Sequence, residues 1–198
     1  MSGYTSDFPQ DLTLHGSRFV PGSDRIVVLG GGVMGPGIAI VFAEHGFDVD
    51  LCDINKAAIA RAQTTLRDAL QLKVELGLVP AKAADATIAR VRMHAGSEGV
   101  LPGARLVIEA VTENRDVKTA IYALVNRLCA RDTVVWSNTS TMNVFPMAPD
   151  ALRERLVVAH WFAPPHILPL VELVGDERTP ASALSEAQTI LRALGKAP

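Results

Sequence analysis

Two residues capable of acid–base chemistry, His160 and Glu172, flank a proline-rich loop in the C-terminal part of the chain. His160 follows the apolar run 156–159, and Glu172 lies inside the apolar run 170–174, where a charged side chain needs a partner. If the loop folds back, Glu172 can hold one imidazole nitrogen while the other faces a substrate, as in a general base. The alternative is structural: backbone groups satisfy the histidine, and a basic residue pairs with the glutamate.

Two further polar groups each follow an apolar run, which is where open α/β sheets bind ligands. Residues 137–141 read Ser-Asn-Thr-Ser-Thr, and their hydroxyl and amide groups can hold a substrate oxygen or a cofactor amide. Such residues more commonly cap helices and satisfy turn backbone. Glu113 and Lys118, five residues apart, can both reach a bound ligand, or they are an exposed loop glutamate and a solvated helix lysine.

A glycine motif indicates what the ligand is. The apolar run 25–29 leads into Gly30, Gly32 and Gly35, spaced as G-x-G-x-x-G, and a helical segment follows. In a dinucleotide-binding βαβ unit these glycines allow a tight turn and close approach of the pyrophosphate, and the helix N-terminus attracts phosphate. The chain has 15 glycines, so a glycine-rich turn is the alternative, but Asp53 lies at about the 20-residue offset of a ribose partner. A carboxylate there would repel a 2′-phosphate, so the sequence predicts NAD rather than NADP.

The elements that must position these residues alternate between strand and helix. Apolar runs of β type occur at 25–29, 48–52, 91–94, 106–111, 133–136, 156–159 and 170–174. Helical spacing predicts three core-facing stripes: Ile59, Leu66, Leu70 and Val74; Val117, Ile121, Leu124 and Leu128; and Leu184, Ala187, Leu191 and Leu194. Thr179 and Pro180 predict the N-cap and first residue of the last helix, and Gly195 its end. The alternation predicts an α/β fold with a doubly wound, mostly parallel sheet.

Composition and charge argue against several classes of protein. The chain has 198 residues, 48% of them hydrophobic, and a formal net charge of -2 without a basic cluster, so neither nucleic acid nor a membrane surface is expected as a partner. Glycines and Pro36 interrupt the charge-free segment 26–43, which argues against a membrane span. Residues 1–24 form a polar tail without a signal-peptide pattern, so we expect a cytoplasmic protein. Cys52 and Cys129 have apolar surroundings and are predicted core residues, with no disulfide or metal site.

These motifs together resemble the NAD-binding domain of the L-3-hydroxyacyl-CoA dehydrogenase family. The resemblance covers residues 25–198 and is carried by Gly-Gly-Gly-Val-Met-Gly-Pro-Gly at 30–37, Asp53, Ile-Glu-Ala-Val-Thr-Glu-Asn at 108–114 with Lys118, Ser-Asn-Thr-Ser at 137–140, and His160 with Glu172. It implies a Rossmann-type domain at 25–198 after a tail at 1–24, with NAD as cofactor, a small-molecule substrate and a role in fatty acid metabolism.

Residue by residue, the resemblance implies a catalytic site and a cofactor site. His160 is the base that takes the hydroxyl proton while the carbon-bound hydrogen leaves as hydride to nicotinamide, and Glu172 orients it. Asn138 and Ser140 lie near nicotinamide and the substrate oxygen. The implied cofactor-binding residues are Gly30, Gly32, Val33, Met34, Gly35, Asp53, Ala110, Val111, Glu113, Lys118 and Asn138. The implied reaction oxidises an L-3-hydroxyacyl-CoA to the 3-oxoacyl-CoA, or runs in reverse.

Two departures from the family pattern keep other functions open. Ala163 replaces the asparagine usual soon after the catalytic histidine, and residues 164–174 are closer to the branch resembling lambda-crystallin, gulonate and carnitine dehydrogenases, which oxidise small free 3-hydroxy acids. The family's C-terminal helical domain, which closes the cleft and makes the homodimer, is absent from the 198 residues, so we expect it in the same or another polypeptide. Without it we expect NAD binding but weak activity. A noncatalytic, crystallin-like NAD-binding protein is the third possibility.

Overall fold

The computed structural model describes residues 19–198, which form one seven-stranded sheet packed between helices. The strands are β1 (Arg25–Leu29), β2 (Asp48–Asp53), β3 (Val91–Ala95), β4 (Leu106–Glu109), β5 (Val134–Ser137), β6 (Leu156–Trp161) and β7 (Val171–Val174). The helices are α1 (Gly35–Glu44), α2 (Lys56–Glu75), α3 (Ala81–Arg90), α4 (Arg115–Leu128), α5 (Asp150–Arg153) and α6 (Ala181–Ala193). None of the helices in the described residues is long and apolar enough to cross a membrane.

The strand order is β3-β2-β1-β4-β5-β6-β7, and every neighbouring pair is parallel except β6 with β7. The predicted mostly parallel, doubly wound sheet is therefore confirmed. The chain passes from β1 outward to β2 and β3, then returns to the other side of β1 to form β4. This reversal leaves a crevice beyond the carboxyl ends of β1 and β4.

Two hydrophobic layers cover the sheet. Apolar residues of α1 and α6 pack on one face, and those of α4 and α5 pack on the other. Helix α1 is buried from Gly35 to Ala43, which explains its uninterrupted apolar sequence. Phe19, inside the predicted tail, is 1% exposed and belongs to the core. Residues 1–18 of the predicted tail lie outside the described residues.

All seven predicted strands are present, but some bounds differ. β4 ends at Glu109, because the chain turns away at Ala110, which packs against the glycine turn. β6 continues to Trp161, so His160 lies inside the strand rather than after it. Helix α3 was not predicted: its sequence, rich in alanine and polar residues, buries only Ala84 and Thr87 and so lacks a clear apolar stripe.

Helix α4 presents a core face that overlaps the predicted stripe but is centred one position later. Its buried residues are Lys118, Tyr122 and Val125, each one position after a residue of the predicted stripe. Val117 is 39% exposed. Ile121, Leu124 and Leu128 are partly buried and pack against the core, so the predicted stripe is confirmed at these positions and wrong at Val117. The buried position in the first turn belongs to Lys118, which has the buried partners described below.

The last helix begins one residue later than predicted. Pro180 is the N-cap of α6 and Ala181 its first residue. The Thr179 hydroxyl makes no cap; it accepts a hydrogen bond from the backbone N–H of Asp176 (3.0 Å) and so closes the turn after β7. Gly195, with φ of +70°, follows the helix as the predicted end requires.

Candidate active site

A cleft of about 840 Å³ lies at the carboxyl ends of the parallel strands, on both sides of the point where the strand order reverses. The predicted site residues that line it are Gly30, Gly32, Val33, Met34, Asp53, Ala110, Val111, Glu113, Asn138, Ser140 and His160. Three predicted residues do not line it: Gly35, Lys118 and Glu172. Residues from five distant parts of the sequence therefore meet in the crevice where open α/β sheets bind ligands.

The glycine turn between β1 and α1 explains why this motif needs glycine. Gly30 has φ of +115°, and a Cβ there would lie 2.3 Å from the carbonyl oxygen of Ala110. A Cβ on Gly35 would lie 1.9 Å from the carbonyl oxygen of Gly30. By contrast, a Cβ on Gly32 would meet nothing within 4 Å, because this residue borders the open cleft. The turn thus leaves bare backbone and the N-terminus of α1 free to approach a pyrophosphate, and it fits a dinucleotide.

Asp53, the last residue of β2, lies on the cleft wall beside this turn. Its Oδ2 accepts a hydrogen bond from the backbone N–H of Gly31 (2.8 Å), and Oδ1 accepts one from Asn55 (2.8 Å). These two bonds fix the carboxylate in place. Each oxygen still has acceptor capacity for a ribose hydroxyl, since an ionised carboxylate offers about four lone-pair positions.

A buried polar cluster lies behind the cleft, and sequence reasoning missed its centre. Glu109 is 0% exposed and accepts hydrogen bonds from Lys118 Nζ (2.6 Å), Tyr122 OH (2.7 Å), Ser137 Oγ (2.6 Å) and the backbone N–H of Val111 (3.0 Å). Burial, with the charge of Glu109, raises the pKa of Tyr122, so the phenol stays protonated and donates. A glutamate inside the apolar run 106–111 needs a partner for the same reason as Glu172, and that signal was available in the sequence.

Lys118 belongs to this buried cluster rather than to the cleft wall. Its side chain is 1% exposed, and its ammonium also contacts Glu113 Oε2 (3.1 Å). The expectation that Lys118 lines the cofactor site is therefore corrected: the lysine lies behind Glu113, which does line it. Its charge can be buried because two carboxylates flank it.

Glu113 joins the loop after β4 to the loop after β5. Its Oε1 accepts hydrogen bonds from the Thr139 hydroxyl (2.8 Å) and the backbone N–H of Ser140 (2.9 Å). Partial burial alone would raise the pKa of Glu113, but these hydrogen bonds and the Lys118 ammonium outweigh it, so the pKa lies below its usual value. The carboxylate is therefore ionised at neutral pH.

Asn138 joins the same loop to β6. Its Oδ1 accepts a hydrogen bond from the backbone N–H of Trp161 (2.9 Å). The side-chain amide of Asn138 and the hydroxyl of Ser140 thus lie on the cleft wall next to the strand that carries His160. The alternative considered for residues 137–141 is confirmed in part: the Thr139 hydroxyl accepts a hydrogen bond from the backbone N–H of Met142 (3.1 Å) and so satisfies turn backbone.

His160 and Glu172 form the pair that the sequence predicted. They are directly opposite each other in the antiparallel β6–β7 pair, with His160 Nδ1 3.0 Å from Glu172 Oε2. The histidine lines the cleft, and its ring packs against Phe162, with centroids 4.7 Å apart. Glu172 is 58% exposed in the described residues, because β7 is an edge strand and only part of its apolar run is buried.

Apolar side chains that were not predicted as site residues complete the wall. Val117 and Ile121 of α4 line the cleft, as does Phe162 beside the histidine. Cys52 and Cys129 are both buried and free, as predicted, although Cys52 also borders the cleft. Within residues 19–198, no group of three or more histidine, cysteine or acidic side chains could hold a metal ion.

Comparison with known proteins agrees with this geometry. The family model for the NAD-binding domain of 3-hydroxyacyl-CoA dehydrogenase matches residues 25–198, the whole of the predicted domain. The chain belongs to the 3-hydroxyacyl-CoA dehydrogenase family. NAD is the cofactor of this domain, as the glycine turn and Asp53 predicted.

Relatives within this family differ in substrate. The chain is 34% identical over 175 residues to 5-formyl-3-hydroxy-2-methylpyridine 4-carboxylate 5-dehydrogenase of Mesorhizobium japonicum, which covers 88% of the chain and 56% of the relative. It is 33% identical over 178 residues to 3-hydroxyadipyl-CoA dehydrogenase of Escherichia coli, covering 87% of the chain and 36% of the relative. The chain thus spans about half the length of the first relative and about a third of the second.

Solved structures of the family share the fold. The crystal structure of 3-hydroxybutyryl-CoA dehydrogenase from Escherichia coli superposes with a TM-score of 0.83 at 31% identity, covering 89% of this chain and 37% of that one. The crystal structure of the pyridine-carboxylate dehydrogenase, described as an NAD-dependent dismutase, gives a TM-score of 0.77 at 33% identity, over 88% of this chain and 56% of that one. Both a CoA thioester and a non-CoA substrate are therefore found among proteins of this fold and family.

Proposed function

We propose that this domain is the NAD-binding and proton-transferring part of a dehydrogenase that oxidises an L-3-hydroxyacyl-CoA to the 3-oxoacyl-CoA, or runs in reverse. The observation that carries the proposal is the His160–Glu172 pair, 3.0 Å apart, in the same cleft as the dinucleotide-binding turn. A base and a cofactor site in one cleft are what removal of a proton and a hydride from one alcohol requires.

His160 acts as general base in this proposal. Because an ionised carboxylate only accepts hydrogen bonds, Glu172 fixes the tautomer with the proton on Nδ1 and leaves the Nε2 lone pair for the substrate hydroxyl. NAD, when bound, accepts the hydride from the substrate carbon. Glu172 then stabilises the imidazolium that forms, and in the reverse direction His160 returns its proton as general acid. Ser140 and Asn138 would lie near the substrate oxygen and the nicotinamide ring.

The cofactor-binding residues of this proposal are those of the turn and the adjoining loops. The backbone of Gly30, Gly32, Val33 and Met34 would hold the pyrophosphate, while Gly35 allows the helix to begin so close to the strand. Asp53 would accept hydrogen bonds from the hydroxyls of the adenosine ribose. Ala110, Val111, Glu113 and Asn138 border the nicotinamide half, with Lys118 acting from behind Glu113. The open space beside Gly32 supports this assignment.

The charges of the cleft favour a thioester over a free acid. Asp53 and Glu113 line it, and no lysine or arginine among the described residues does. Of these two, Glu113 borders the nicotinamide half, where the reaction occurs, and Asp53 borders the adenosine half. A free 3-hydroxy acid would bring its carboxylate near Glu113 without a cation on the cleft wall to balance it, whereas a thioester is uncharged there. The polar groups of CoA then lie away from the reacting carbon.

A dehydrogenase of a small, non-CoA hydroxy acid is the second candidate. Ala163 supports it, because it removes a polar contact beside His160 that the thioester enzymes usually have. The pyridine-carboxylate relative, at 34% identity, also supports it. A cation from elsewhere in the full-length protein would be needed to hold the carboxylate of such a substrate.

The remaining assignments also stay predictions. We propose that a helical domain, in the same polypeptide or another, closes the cleft and forms a homodimer, and that the 198 residues alone bind NAD but turn over slowly. Closure excludes water and aligns the substrate, and each effect contributes several kcal/mol to catalysis. We also propose that the protein acts in fatty acid metabolism and is located in the cytoplasm.

The test is the rate of NADH appearance from the full-length protein with 3-hydroxyacyl-CoA esters and the matched free 3-hydroxy acids. We expect turnover of thioesters and little of the acids. Turnover restricted to free acids would transfer the assignment to the second candidate. His160→Gln separates both from a noncatalytic protein: activity that survives this substitution unchanged, or no activity on any substrate of either class, would contradict a dehydrogenase role for the pair.

A further inference from the structure

The carboxylate of Glu109 is fully buried and accepts four hydrogen bonds. It stands at the last position of β4, fully buried, and its two oxygens accept from one ammonium, two hydroxyls and one backbone N–H. A buried carboxylate is costly unless it is paired and its lone pairs are satisfied, and a well-packed apolar residue would serve stability as well or better. The arrangement therefore calls for another reason.

Lys118 connects this carboxylate to the cleft. Its buried ammonium lies 2.6 Å from Glu109 Oε1 and 3.1 Å from Glu113 Oε2, so one lysine joins a core carboxylate to a carboxylate of the cleft wall. Glu109 is 0% exposed and Glu113 is 41% exposed. The inner glutamate thus fixes where the ammonium lies, and the ammonium fixes one oxygen of the outer glutamate.

The other oxygen of Glu113 continues the chain of contacts. It accepts hydrogen bonds from the Thr139 hydroxyl and from the backbone N–H of Ser140, a residue that lines the same cleft as His160. We propose that Glu109 is a positioning residue: through Lys118 it holds Glu113, and with it the Ser140 segment, in the geometry that receives the nicotinamide half of NAD. This inference rests on the proposed function only in assigning that half of the cleft to nicotinamide.

The first experiment measures NADH affinity by isothermal titration calorimetry on the full-length protein without substrate. We expect Glu109→Gln to weaken NADH binding about 10-fold, because loss of one well-placed hydrogen bond to the cofactor lowers affinity by a factor of that order. Glu113→Gln should weaken it by a similar factor. If Glu109 acts through Glu113, the double substitution should be no weaker than either single one, apart from a factor of about two. Additive losses, or an unchanged affinity in Glu109→Gln, would overturn the proposal.

A second variant guards against loss of folding. Glu109→Gln leaves Lys118 with one carboxylate fewer, and a buried charge that has lost a partner is strongly destabilising. Glu109→Gln combined with Lys118→Met removes both charges; we expect its melting temperature to recover towards wild type while NADH binding stays about 10-fold weaker. If the double variant folds and binds NADH with wild-type affinity, or if it fails to fold, Glu109 serves stability alone and the positioning role is overturned.

Thr133→Val is the matched control. Thr133 is also buried and lies directly before β5. Its hydroxyl donates to the carbonyl oxygen of Ala104 (2.8 Å), away from the cleft. Thr133→Val should lower the melting temperature without changing NADH affinity. If it weakens NADH binding as much as Glu109→Gln does, any buried polar substitution has this effect and the proposal is refuted. Because the readout is NADH binding, the absence of any hydroxyacyl turnover would overturn the proposed function and leave this inference standing.

Discussion

His160 and Glu172 lie directly opposite each other across the antiparallel pair of β6 and β7, with Nδ1 3.0 Å from Oε2. The backbone register of two strands therefore sets the distance between base and carboxylate, and neither side chain depends on a flexible loop for its position. Elements of regular structure hold a site more accurately than loops do. Because the strands fix this geometry, a single substitution of Glu172 can measure its contribution to catalysis.

We predict that Glu172→Gln lowers kcat about 100-fold in the full-length protein, since orientation and general base catalysis together contribute about 100-fold to 10,000-fold. The amide keeps the shape but cannot stabilise the imidazolium. NADH affinity should stay within a factor of about two, because Glu172 does not line the cleft. Steady-state NADH appearance and calorimetry measure the two quantities.

Glu177→Gln is the control for that substitution, since Glu177 is exposed in the turn after β7. It should leave kcat unchanged. If the two substitutions affect kcat equally, or if Glu172→Gln has no effect, Glu172 does not orient the base.

The sequence was informative where one physical rule governs a position. The pair of His160 and Glu172 was predicted from the cost of an unpaired charge in an apolar run. That premise was wrong, because Glu172 is 58% exposed in the described residues; the register of β6 with β7 brings the two side chains together. The glycine turn and Asp53 followed from the backbone geometry that a dinucleotide requires. The strands were found because buried parallel strands are continuous apolar runs.

The sequence was misleading where burial depends on a distant partner. Lys118 is buried because its ammonium pairs with Glu109 at the end of β4, and the local periodicity of α4 does not show this partner. Consequently Lys118 and Tyr122 were left out of the predicted core face of α4, and Val117 was assigned to the core although it lines the cleft. Helix α3 was missed because few of its residues are buried, so its pattern carries little apolar signal.

Two glycines of the same motif should fail in different ways when replaced by alanine. Gly30→Ala introduces a Cβ at φ of +115° and 2.3 Å from a backbone oxygen, so we predict a destabilisation of about 3 kcal/mol or more. Gly32→Ala has open space around its Cβ and should cost less than about 1 kcal/mol, but weaken NAD binding at least about 10-fold by obstructing the pyrophosphate. Thermal unfolding and NAD titration of both variants check this. Equal loss of stability in the two would contradict it.

Asp53 should determine the preference for NAD over NADP. Asp53→Asn keeps an oxygen acceptor for the N–H of Gly31, so the turn is retained. Its neutral side chain should lower NAD affinity about 10-fold by weakening a charge-assisted hydrogen bond, and raise NADP affinity by removing repulsion. Calorimetry with both dinucleotides measures the ratio. Asp48→Asn, at the opposite end of β2, should change neither, and an unchanged ratio in Asp53→Asn would contradict the ribose role.

The two cysteines should resist alkylation in the folded protein. Burial, with the charges of Asp50 and Glu98, raises the pKa of Cys52 to about 12, and burial raises the pKa of Cys129 to about 11. Since the thiolate is the nucleophile, we predict little iodoacetamide labelling of either residue at pH 8 and complete labelling after unfolding in urea. Mass spectrometry of the peptides that contain each cysteine gives the result. Rapid labelling of native Cys52 would mean that the cleft opens to it.

Asp176 should make stability depend on acid pH. Its Oδ2 accepts from the Arg153 guanidinium (2.5 Å), and Oδ1 accepts from the backbone N–H groups of Arg178 (2.9 Å) and Thr179 (3.1 Å). Desolvation alone would raise the pKa of Asp176, but these hydrogen bonds outweigh it and hold the pKa below its usual value. A lowered folded-state pKa contributes stability above the unfolded-state value, about 3.9, and that contribution is lost as the pH falls through the folded-state pKa.

We therefore predict that Asp176→Asn lowers the free energy of unfolding by about 1 to 2 kcal/mol at pH 7, a value reduced for partial exposure. The difference from wild type should stay constant down to about pH 5 and shrink below about pH 4, because the wild-type carboxylate is then protonated too. Urea unfolding at several pH values measures it. Asp132→Asn removes a carboxylate that is 72% exposed and paired with Arg105, and it should change stability by less than about 0.5 kcal/mol at any pH. A difference for Asp176→Asn that persists unchanged at pH 3 would mean that shape, and not charge, holds this turn.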